Sequence, residues 1–315
     1  MRRFDQQSGK VDVSVFGMHC RFTVQVLTAL INAGHNINLV VLPRRNDTSV
    51  QVMLPPALKP RISMVAAGQS LTVLPNVAAL AWSAGAALVE TSHNHLDSLP
   101  RRFATLKNGL VISACFPWKL SESLLQTPKL GCLNIHPSLL PRHRGPDPLF
   151  WTFHAGDPQT GVTIHRMTSK LDAGPILRQR EIPLPLHTRY RDADHQTVDL
   201  GAKLIVQVIQ ELTAETLAER HQPATDDAYE SHPIESDLVA HTGWPAERGF
   251  RFVHGTGADY GPIAVELPHG DRLPVIDATS LHPERSLGAP MQRHGRLIAV
   301  QFSDGVVIFQ PAPRQ

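Results

Sequence analysis

Hydrophobic residues near the start of the chain recur in three patterns that predict a strand, a helix and a second strand. Residues 11–16 and 37–42 are short apolar runs, and Gly17 closes the first of them. Between the two runs, residues 22–31 carry apolar side chains at helical spacing. This order is typical of a βαβ unit, so we expect a parallel sheet with right-handed crossovers.

The same succession of patterns continues to about residue 212. It predicts helices at residues 79–86, 147–154 and 192–212, and strands at residues 87–90, 109–115 and 130–137. Residues 43–60 contain several prolines and arginines, which favours a loop. The sequence therefore indicates one α/β domain over residues 1–215.

A different pattern follows in the last third of the chain. Short segments at residues 263–267, 273–276, 296–302 and 306–311 alternate or run apolar. Turn sequences around Gly270 and Asp304 connect them in pairs, as in β-hairpins. We predict a small OB-like antiparallel β-barrel domain over residues 234–315. Residues 216–233 have weak periodicity and are predicted to be a linker.

Charge is distributed unevenly along the 315 residues, although the net value is only +2. Residues 1–215 carry +7 and residues 216–315 carry −5, with His counted as neutral. A basic region can meet an anionic substrate, whereas an acidic one is a poor surface for nucleic acid unless its arginines cluster. We therefore expect an anionic ligand to be bound by the first domain.

The three cysteines, Cys20, Cys115 and Cys132, lack Cys-x-x-Cys spacing and lie in or beside apolar runs. Neither a disulfide framework nor a zinc ribbon is indicated, so we expect a reducing compartment. The first residues form no apolar core of a signal peptide, and no apolar run approaches membrane-spanning length. These observations predict a cytoplasmic protein with no membrane association.

Several familiar site motifs are absent or incomplete. The first turn holds Gly17 but no Gly-x-Gly-x-x-Gly or Gly-Lys-Ser/Thr loop, so neither nicotinamide nor ATP is predicted. His93 and His95 would share one face of a strand, but no third ligand is in register, so no metal is predicted. Cys20 follows His19 at a helix start, where packing is commoner than nucleophilic chemistry. Asp147 is predicted to begin its helix as a cap or first-turn acid.

The strand predicted at residues 130–137 carries the most informative polar side chains. Asn134 and His136 are two residues apart on it and therefore point to the same side, and Pro137 ends it. An amide and an imidazole that project together can hydrogen-bond an oxygen that becomes negative during a reaction. The plain alternative is that Asn134 caps a turn and His136 is a core histidine.

Three segments place this pair in a wider context. They read Asn-Ile-His-Pro-Ser-Leu-Leu-Pro-Arg-His-Arg-Gly at residues 134–145, Thr-Gly-Val-Thr-Ile-His-Arg-Met at 160–167, and Leu-Asp-Ala-Gly-Pro-Ile-Leu at 171–177. Together they closely resemble the 10-formyltetrahydrofolate-dependent formyltransferases, which act on methionyl-tRNA, glycinamide ribonucleotide or sugar nucleotides. The resemblance is dense over about 50 residues and looser from residue 11 to about residue 212.

The resemblance implies roles for individual residues. Asn134, His136 and Asp172 correspond to the family's catalytic residues. A carboxylate at Asp172 would orient His136 or accept the proton of the attacking amine. The alternative for Asp172 is a turn-forming residue.

Two further groups of residues follow from the same comparison. The folate donor would be contacted by Phe116, Trp118, Ser138, Leu139, Leu140 and Pro141, although core packing is an equal alternative for Trp118. Phosphate groups of the acceptor would be contacted by Arg44, Arg45, Arg142 and Arg144. The alternative is that these arginines lie in solvated loops and bind no ligand.

The resemblance thus implies a Rossmann-like formyltransferase domain followed by a small β-barrel. It also implies transfer of a formyl group from 10-formyltetrahydrofolate to a primary amine, with no metal and no stable protein partner. Methionyl-tRNA, the initiator tRNA, is the leading acceptor because length and layout match that subfamily. Against it stand the acidic C-terminal region and the sequence Pro-Arg-Arg-Asn-Asp at residues 43–47, where tRNA-formylating relatives carry Pro-Asp and Gly-Arg-Gly stretches.

The alternative acceptor is a small amine, such as an amino-sugar nucleotide or a natural-product intermediate. A formyltetrahydrofolate hydrolase, in which water replaces the amine, and a non-catalytic binding module are the other classes considered. The presence of Asn134, His136 and Asp172 disfavours the binding module.

Overall fold

The computed structural model describes residues 10–44, 50–53, 76–107, 109–223 and 229–313. The chain forms two compact units, each built from separate stretches. Unit 1 comprises Met1–His136, Ile164–Arg178 and Val198–Gln222, and unit 2 comprises Pro137–Thr163, Gln179–Thr197 and Pro223–Gln315. The domain boundaries predicted at residues 215 and 234 stay a prediction.

A large sheet with mainly parallel pairing forms the centre of the α/β part. Its strands are β1 (Asp12–Gly17), β2 (Asn36–Pro43), β3 (Gln51–Met53), β4 (Ala87–Thr91), β5 (Leu110–Ala114), β6 (Cys132–His136), β7 (Gln159–Arg166) and β8 (Ile176–Pro183). They are ordered β3-β4-β2-β1-β5-β6-β7-β8. Strand β1 pairs in parallel with both β2 and β5, as the βαβ pattern predicts. One expectation is wrong: part of the loop predicted at residues 43–60 is strand β3, which pairs antiparallel with β4.

Seven α-helices connect or cover the strands in the described chain. They are α1 (Arg21–Asn32), α2 (Val77–Ser83), α3 (Leu99–Arg102), α4 (Glu122–Leu125), α5 (Pro148–Ala155), α6 (Tyr190–Thr213) and α7 (Ala246–Tyr260). Short 3-10 helices occupy His93–Ser98, Ala104–Lys107 and Glu235–Asp237. Helix α1 buries Phe22, Val26, Leu27 and Leu30, which follow the spacing read from the sequence.

A second sheet contains β9 (Val239–His241), β10 (Ile263–Glu266), β11 (Arg272–Pro283), β12 (Met291–His294), β13 (Leu297–Gln301) and β14 (Gly305–Pro311). Its order is β12-β13-β14-β11-β10-β9, and its pairs are antiparallel except β9 with β10. This sheet confirms the predicted C-terminal β domain. The predicted hairpin turns are present between β10 and β11 and between β13 and β14.

Each unit has its own apolar core. In unit 1, Phe16, Leu39, Val111 and Leu124 belong to one buried cluster. In unit 2, Phe150 and Phe153 of α5 are buried together with Phe250, Phe252 and Phe309, among other residues. In the part of the chain that the structure describes, no helix has the length and hydrophobicity needed to cross a membrane.

Candidate active site

Strand β6 presents Asn134 and His136 at its carboxyl end, within unit 1. His136 is almost completely buried, whereas Asn134 is half-buried. Between them, Ile135 points the other way, toward helix α6, where its methyl group lies against Gly201. The strand alternation therefore separates a polar side from a packing side, as the sequence predicts.

Asp172 lies beside both residues, although it is 38 positions from Asn134 in the sequence. The Asn134 side chain donates from Nδ2 to Oδ1 of Asp172 over 3.2 Å. Nδ1 of His136 is 3.8 Å from the same oxygen, which is too long for a direct hydrogen bond. Asp172 can therefore act on His136 through its charge or through a bridging water. The structure thus brings together the three residues predicted to be catalytic.

A second histidine, His165 of β7, completes this group. Its Nε2 is 3.2 Å from Nδ2 of Asn134 and 3.5 Å from Oδ1 of Asp172. Its Nδ1 lies 2.9 Å from the carbonyl oxygen of Arg166 and, in the neutral ring, donates to it. Nε2 is then free of a proton and accepts from the Asn134 amide, which fixes the orientation of that amide.

Sequence reasoning did not single out His165 as a site residue. It lies in the segment at residues 160–167 that carries the family resemblance, and it is two positions from Thr163 on the same strand. The structure shows His165 to be a buried polar residue in a largely buried strand, and such a residue calls for a hydrogen-bond partner. That partner is visible only in three dimensions.

The turn that carries Asp172 has an unusual backbone. Asp172 itself has a φ of 50°, in the left-handed region that non-glycine residues seldom adopt. Two residues later, a β-carbon at Gly174 would overlap the carbonyl group of Arg166. The amide of Arg166 in turn donates to the carbonyl oxygen of Pro175 over 2.9 Å. Only glycine at position 174 permits this close approach to Arg166. The turn therefore packs directly against the end of β7.

Phe116 and Trp118 follow strand β5 within unit 1. The rings of Phe16 and Phe116 are 5.3 Å apart, and those of Phe116 and Trp118 are 5.4 Å apart. Both residues, which are predicted to contact the folate donor, are half-buried and pack against the core. Strand β2 lies on one side of β1 and β5 lies on the other, so the strand order reverses at β1. In sheets of this kind, ligands bind beyond the carboxyl ends of the strands where the order reverses.

Ser138, Leu139, Leu140 and Pro141 form a loop in unit 2. The Ser138 hydroxyl is fully buried and donates to the carbonyl oxygen of Arg142 over 2.8 Å. Leu140 is buried as well, and its bond to Pro141 is cis. Leu139 and Pro141 are half-buried and retain some accessible surface. The predicted contacts of these four residues with folate stay a prediction.

The predicted acceptor-binding arginines differ in their surroundings. Arg142 is paired through its guanidinium with both oxygens of Asp157, at 2.6 and 2.7 Å. Arg44 and Arg144 are half-buried, and the backbone amide of Arg44 donates to Thr91. Arg45 lies outside the described residues. A phosphate at Arg142 would therefore have to compete with an existing carboxylate.

His143, next to Arg142, is held between two carboxylates in unit 2. Nε2 lies 2.9 Å from Asp157 and Nδ1 lies 3.0 Å from Glu230. Burial alone would lower the pKa of His143, but the hydrogen bonds and charges of the two carboxylates outweigh it and raise that pKa. The imidazolium form is favoured, and it ties Glu230 to the loop.

The structure corrects the strand expected at His93 and His95, and it places Asp147 at the helix start, as expected, but without a capping bond. His93 and His95 lie in a 3-10 helix rather than on a strand, and the His93 ring packs 5.9 Å from Trp118. Asp147 occupies the position before α5, but its side chain makes no cap hydrogen bond. Its carboxylate instead accepts from the hydroxyls of Tyr190 and Tyr260, at 3.1 and 2.6 Å. Among the described residues, no group of three His, Cys, Asp or Glu could hold a metal ion.

The cysteines have unequal environments. A hydrogen bond from the Cys115 thiol holds the pKa of Cys20 well below its usual range, against the opposing effect of burial. Burial raises the pKa of Cys132 to about 12. Cys20 precedes helix α1, as expected, and its sulfur lies 3.5 Å from the Thr23 hydroxyl.

Comparison with known families identifies the chain at this point. The model of the family described as "Formyl transferase" matches residues 20–209, more than half of the chain. The chain belongs to the formyl transferase family. The predicted family resemblance and the predicted enzyme class are confirmed: it is a folate-dependent formyltransferase.

Curated formyltransferases are similar over much of this chain. The methionyl-tRNA formyltransferase of Moorella thermoacetica is 27% identical over 280 residues, which cover 89% of this chain and 82% of that protein. The methionyl-tRNA formyltransferase of Syntrophus aciditrophicus is 38% identical over 205 residues, or 64% of each chain.

Solved structures of formyltransferases share the fold. An N-formyltransferase from Helicobacter canadensis, in complex with folinic acid and dTDP-3-aminofucose, has a TM-score of 0.62 at 16% identity. It covers 96% of this chain and 99% of its own. A glycinamide ribonucleotide transformylase from Symbiobacterium toebii covers 69% of this chain and 96% of its own, with a TM-score of 0.53 at 17% identity. The predicted fold class, a Rossmann-like domain with a second β domain, is confirmed.

Proposed function

We propose that this formyltransferase moves the formyl group of 10-formyltetrahydrofolate to the amino group of methionyl-tRNA. Asn134, His136 and Asp172 are the proposed catalytic residues. Their convergence on one carboxylate oxygen, at 3.2 Å for Asn134 and 3.8 Å for His136, supports their assignment to one site. The family membership supplies the reaction class.

The proposed reaction begins when an unprotonated amine attacks the formyl carbon of the donor. The carbonyl oxygen becomes an oxyanion, to which His136, when protonated, would donate a hydrogen bond. The Asn134 amide would redirect to the oxyanion the N–H that it donates to Asp172 in this structure. Asp172 would accept the proton that the amine loses, directly or through water. The C–N bond to the folate nitrogen then breaks, and that nitrogen takes up a proton.

The buried position of His136 suits this role. In a site of low water content, a hydrogen bond to a developing negative charge is stronger than the same bond in water. His165 would hold the Asn134 amide in one orientation and so reduce the reorganisation needed during the reaction.

The proposed donor site involves Phe116 and Trp118. Their half-buried rings follow β5 at the carboxyl end of the parallel strands, where they can stack against the flat ring system of a folate. We also propose that the folate contacts the loop at residues 138–141, because the family resemblance implies this contact.

The observation that favours methionyl-tRNA is the extent of the likeness to the Moorella protein. That likeness covers 89% of this chain and therefore extends beyond the region matched by the family model. A small amine is the second candidate, because residues 216–315 carry a net charge of −5, which opposes contact with nucleic acid. We propose that the enzyme acts in the cytoplasm, where its proposed acceptor would be found, since the relatives are named methionyl-tRNA formyltransferases.

A three-part assay tests this proposal with purified protein and 10-formyltetrahydrofolate. One reaction contains methionyl-tRNA, one contains the amino-sugar nucleotide dTDP-3-aminofucose, and one contains no amine. We expect saturable turnover with methionyl-tRNA, at least about 10²-fold above the other two. Turnover only with the sugar would establish the small-amine alternative. Equal turnover with and without amine would indicate a hydrolase.

A further inference from the structure

We propose that Gln222 is a positioning residue that holds the Asp172 turn in its catalytic geometry. This inference rests on the proposed catalytic role of Asp172. It assigns a function to a residue in the segment that the sequence predicts to be a linker.

The Gln222 side-chain amide contacts the turn directly. Its Nε2 group donates to the carbonyl oxygen of Asp172 over 2.7 Å and to that of Gly174 over 2.8 Å. Both N–H groups of one amide are thus directed at the backbone on either side of residue 173. This arrangement requires two donors on one atom with a fixed angle between them, which suits the NH₂ group of glutamine.

Neighbouring residues attach the same segment to the end of β7 and the start of β8, on either side of the turn. Ile176 and Arg220 exchange backbone hydrogen bonds of 2.8 and 2.9 Å, so a short antiparallel bridge lies next to the Gln222 contacts. Glu219 pairs with the guanidinium of Arg166. All these residues belong to unit 1. The segment at residues 219–222 is therefore fixed on both sides of the turn.

The backbone of Asp172 explains why such support is needed. A φ of 50° is disfavoured for a residue with a β-carbon, and such conformations persist only where surrounding contacts stabilise them. Gln222 contacts the carbonyl of this residue itself. Its loss would let the turn relax and move the carboxylate away from His136. Misplacement of a catalytic group by about 1 Å can reduce the rate by about 10²-fold.

The test compares Gln222→Met and Gln222→Glu with the wild type. Met has a similar length but no donor, and Gln222 is only half-buried, so water can hydrate the two carbonyls and the fold is retained. We expect Gln222→Met to lower kcat about 10- to 100-fold with KM for the folate donor changed less than about threefold. His221→Ala, an exposed neighbour in the same segment, is the matched control and should keep wild-type kcat.

The pH dependence of Gln222→Glu distinguishes positioning from a general structural effect. An ionised glutamate would face two carbonyl oxygens without a proton to donate, so this variant should be slower than Gln222→Met at neutral pH. A protonated glutamate regains one donor. The ratio of its kcat to that of the wild type should therefore rise as the pH falls.

Asp172→Asn separates the failure of this inference from the failure of the proposed function. Wild-type turnover in Asp172→Asn would remove the catalytic assignment itself. If Asp172→Asn loses activity but Gln222→Met does not, only the positioning role is overturned. In the double variant we expect no loss beyond that of Asp172→Asn, and additive losses would show that Gln222 acts by another route.

Discussion

Oδ1 of Asp172 is the point at which the proposed catalytic side chains meet. It lies 3.2, 3.5 and 3.8 Å from nitrogens of Asn134, His165 and His136, respectively. A change at any of the proposed catalytic residues therefore alters the environment of the others. Effects of substitutions in such a group are not additive, and each single substitution should remove most of the rate enhancement.

We expect Asn134→Ala, His136→Ala and Asp172→Ala each to lower formyl transfer by at least about 10²-fold with the fold intact. Loss of one oxyanion donor costs roughly 2.7–4 kcal/mol of transition-state stabilisation. Single-turnover rates together with circular dichroism would measure both properties. Near wild-type turnover in folded His136→Ala would eliminate the proposed mechanism.

The unequal thiols give a second prediction at this scale. At pH 7, iodoacetamide should alkylate Cys20 at least about 10²-fold faster than Cys132, because only the Cys20 pKa is lowered. Peptide mapping by mass spectrometry would give both rates. Cys115→Ala removes the hydrogen-bond donor, so the pH at which Cys20 reacts half-maximally should rise. An unchanged pH profile in that variant would contradict the assigned cause.

Among the elements, those with regular apolar spacing were predictable from the sequence. Helix α6 was expected at residues 192–212 and spans Tyr190–Thr213, because its buried residues recur every three or four positions. Helix α7 was not predicted. Gly249, Gly255 and Gly257 weaken its helical signal, yet they allow close contact with Phe302, Phe153 and the backbone of β11. Tertiary packing, which local spacing does not report, stabilises this helix.

The site residues divide in the same way, into those that the local sequence predicts and those that only the tertiary structure reveals. Asn134 and His136 could be paired from strand alternation, whereas the role of Asp172 came from the family resemblance. The contacts of Gln222 join positions 50 and 48 residues apart, so no local pattern reveals them. The segment was predicted to be a linker because it lacks apolar periodicity. The conformation of the described residues 219–222 is held by hydrogen bonds rather than by burial of apolar side chains.

Packing of α6 against β6 gives a prediction at the element scale. A β-carbon at Gly201 would lie 2.8 Å from a methyl group of Ile135 and 3.1 Å from the ring of Phe22. We expect Gly201→Val to destabilise the protein by about 1–3 kcal/mol and to lower kcat, because overpacking would displace β6 and its catalytic residues. Urea denaturation and steady-state kinetics would test this.

Lys203→Val is the control for this substitution. It introduces the same β-branched residue at an exposed position of the same helix. Its effect should be within about 0.5 kcal/mol. A similar loss of stability in both variants would mean that a β-branched side chain destabilises this helix wherever it is placed and that the contact with β6 is not the cause.

For the whole molecule, the charge distribution decides how a tRNA acceptor would be bound. Residues 1–215 carry +7 and residues 216–315 carry −5. We therefore expect any tRNA contacts to come mainly from the first region. The apparent affinity should fall steeply with salt, with a logarithmic slope of roughly −0.7 to −0.9 per phosphate contact. A small-molecule acceptor should show a much weaker dependence.

Measurement of KM for methionyl-tRNA between low and moderate salt tests this expectation. The double substitution Arg44→Ala/Arg45→Ala should raise KM and reduce the slope, while the rate of reaction with saturating tRNA remains similar. If tRNA is used and neither KM nor the slope changes, recognition lies elsewhere in the chain. A flat salt profile would itself argue against a polyanionic acceptor.

The interleaved composition of the two units has a consequence for synthesis of the protein. Tyr260 and Arg189 form hydrogen bonds with Asp147 and Asp277, across 113 and 88 positions of sequence. A ribosome releases the chain in order, so Phe150 and Phe153 emerge well before the aromatic residues with which they are buried. During that interval their apolar surface is available to chaperones or to other nascent chains. Folding of unit 2 should consequently be completed late in translation, and slowing elongation would prolong the vulnerable interval.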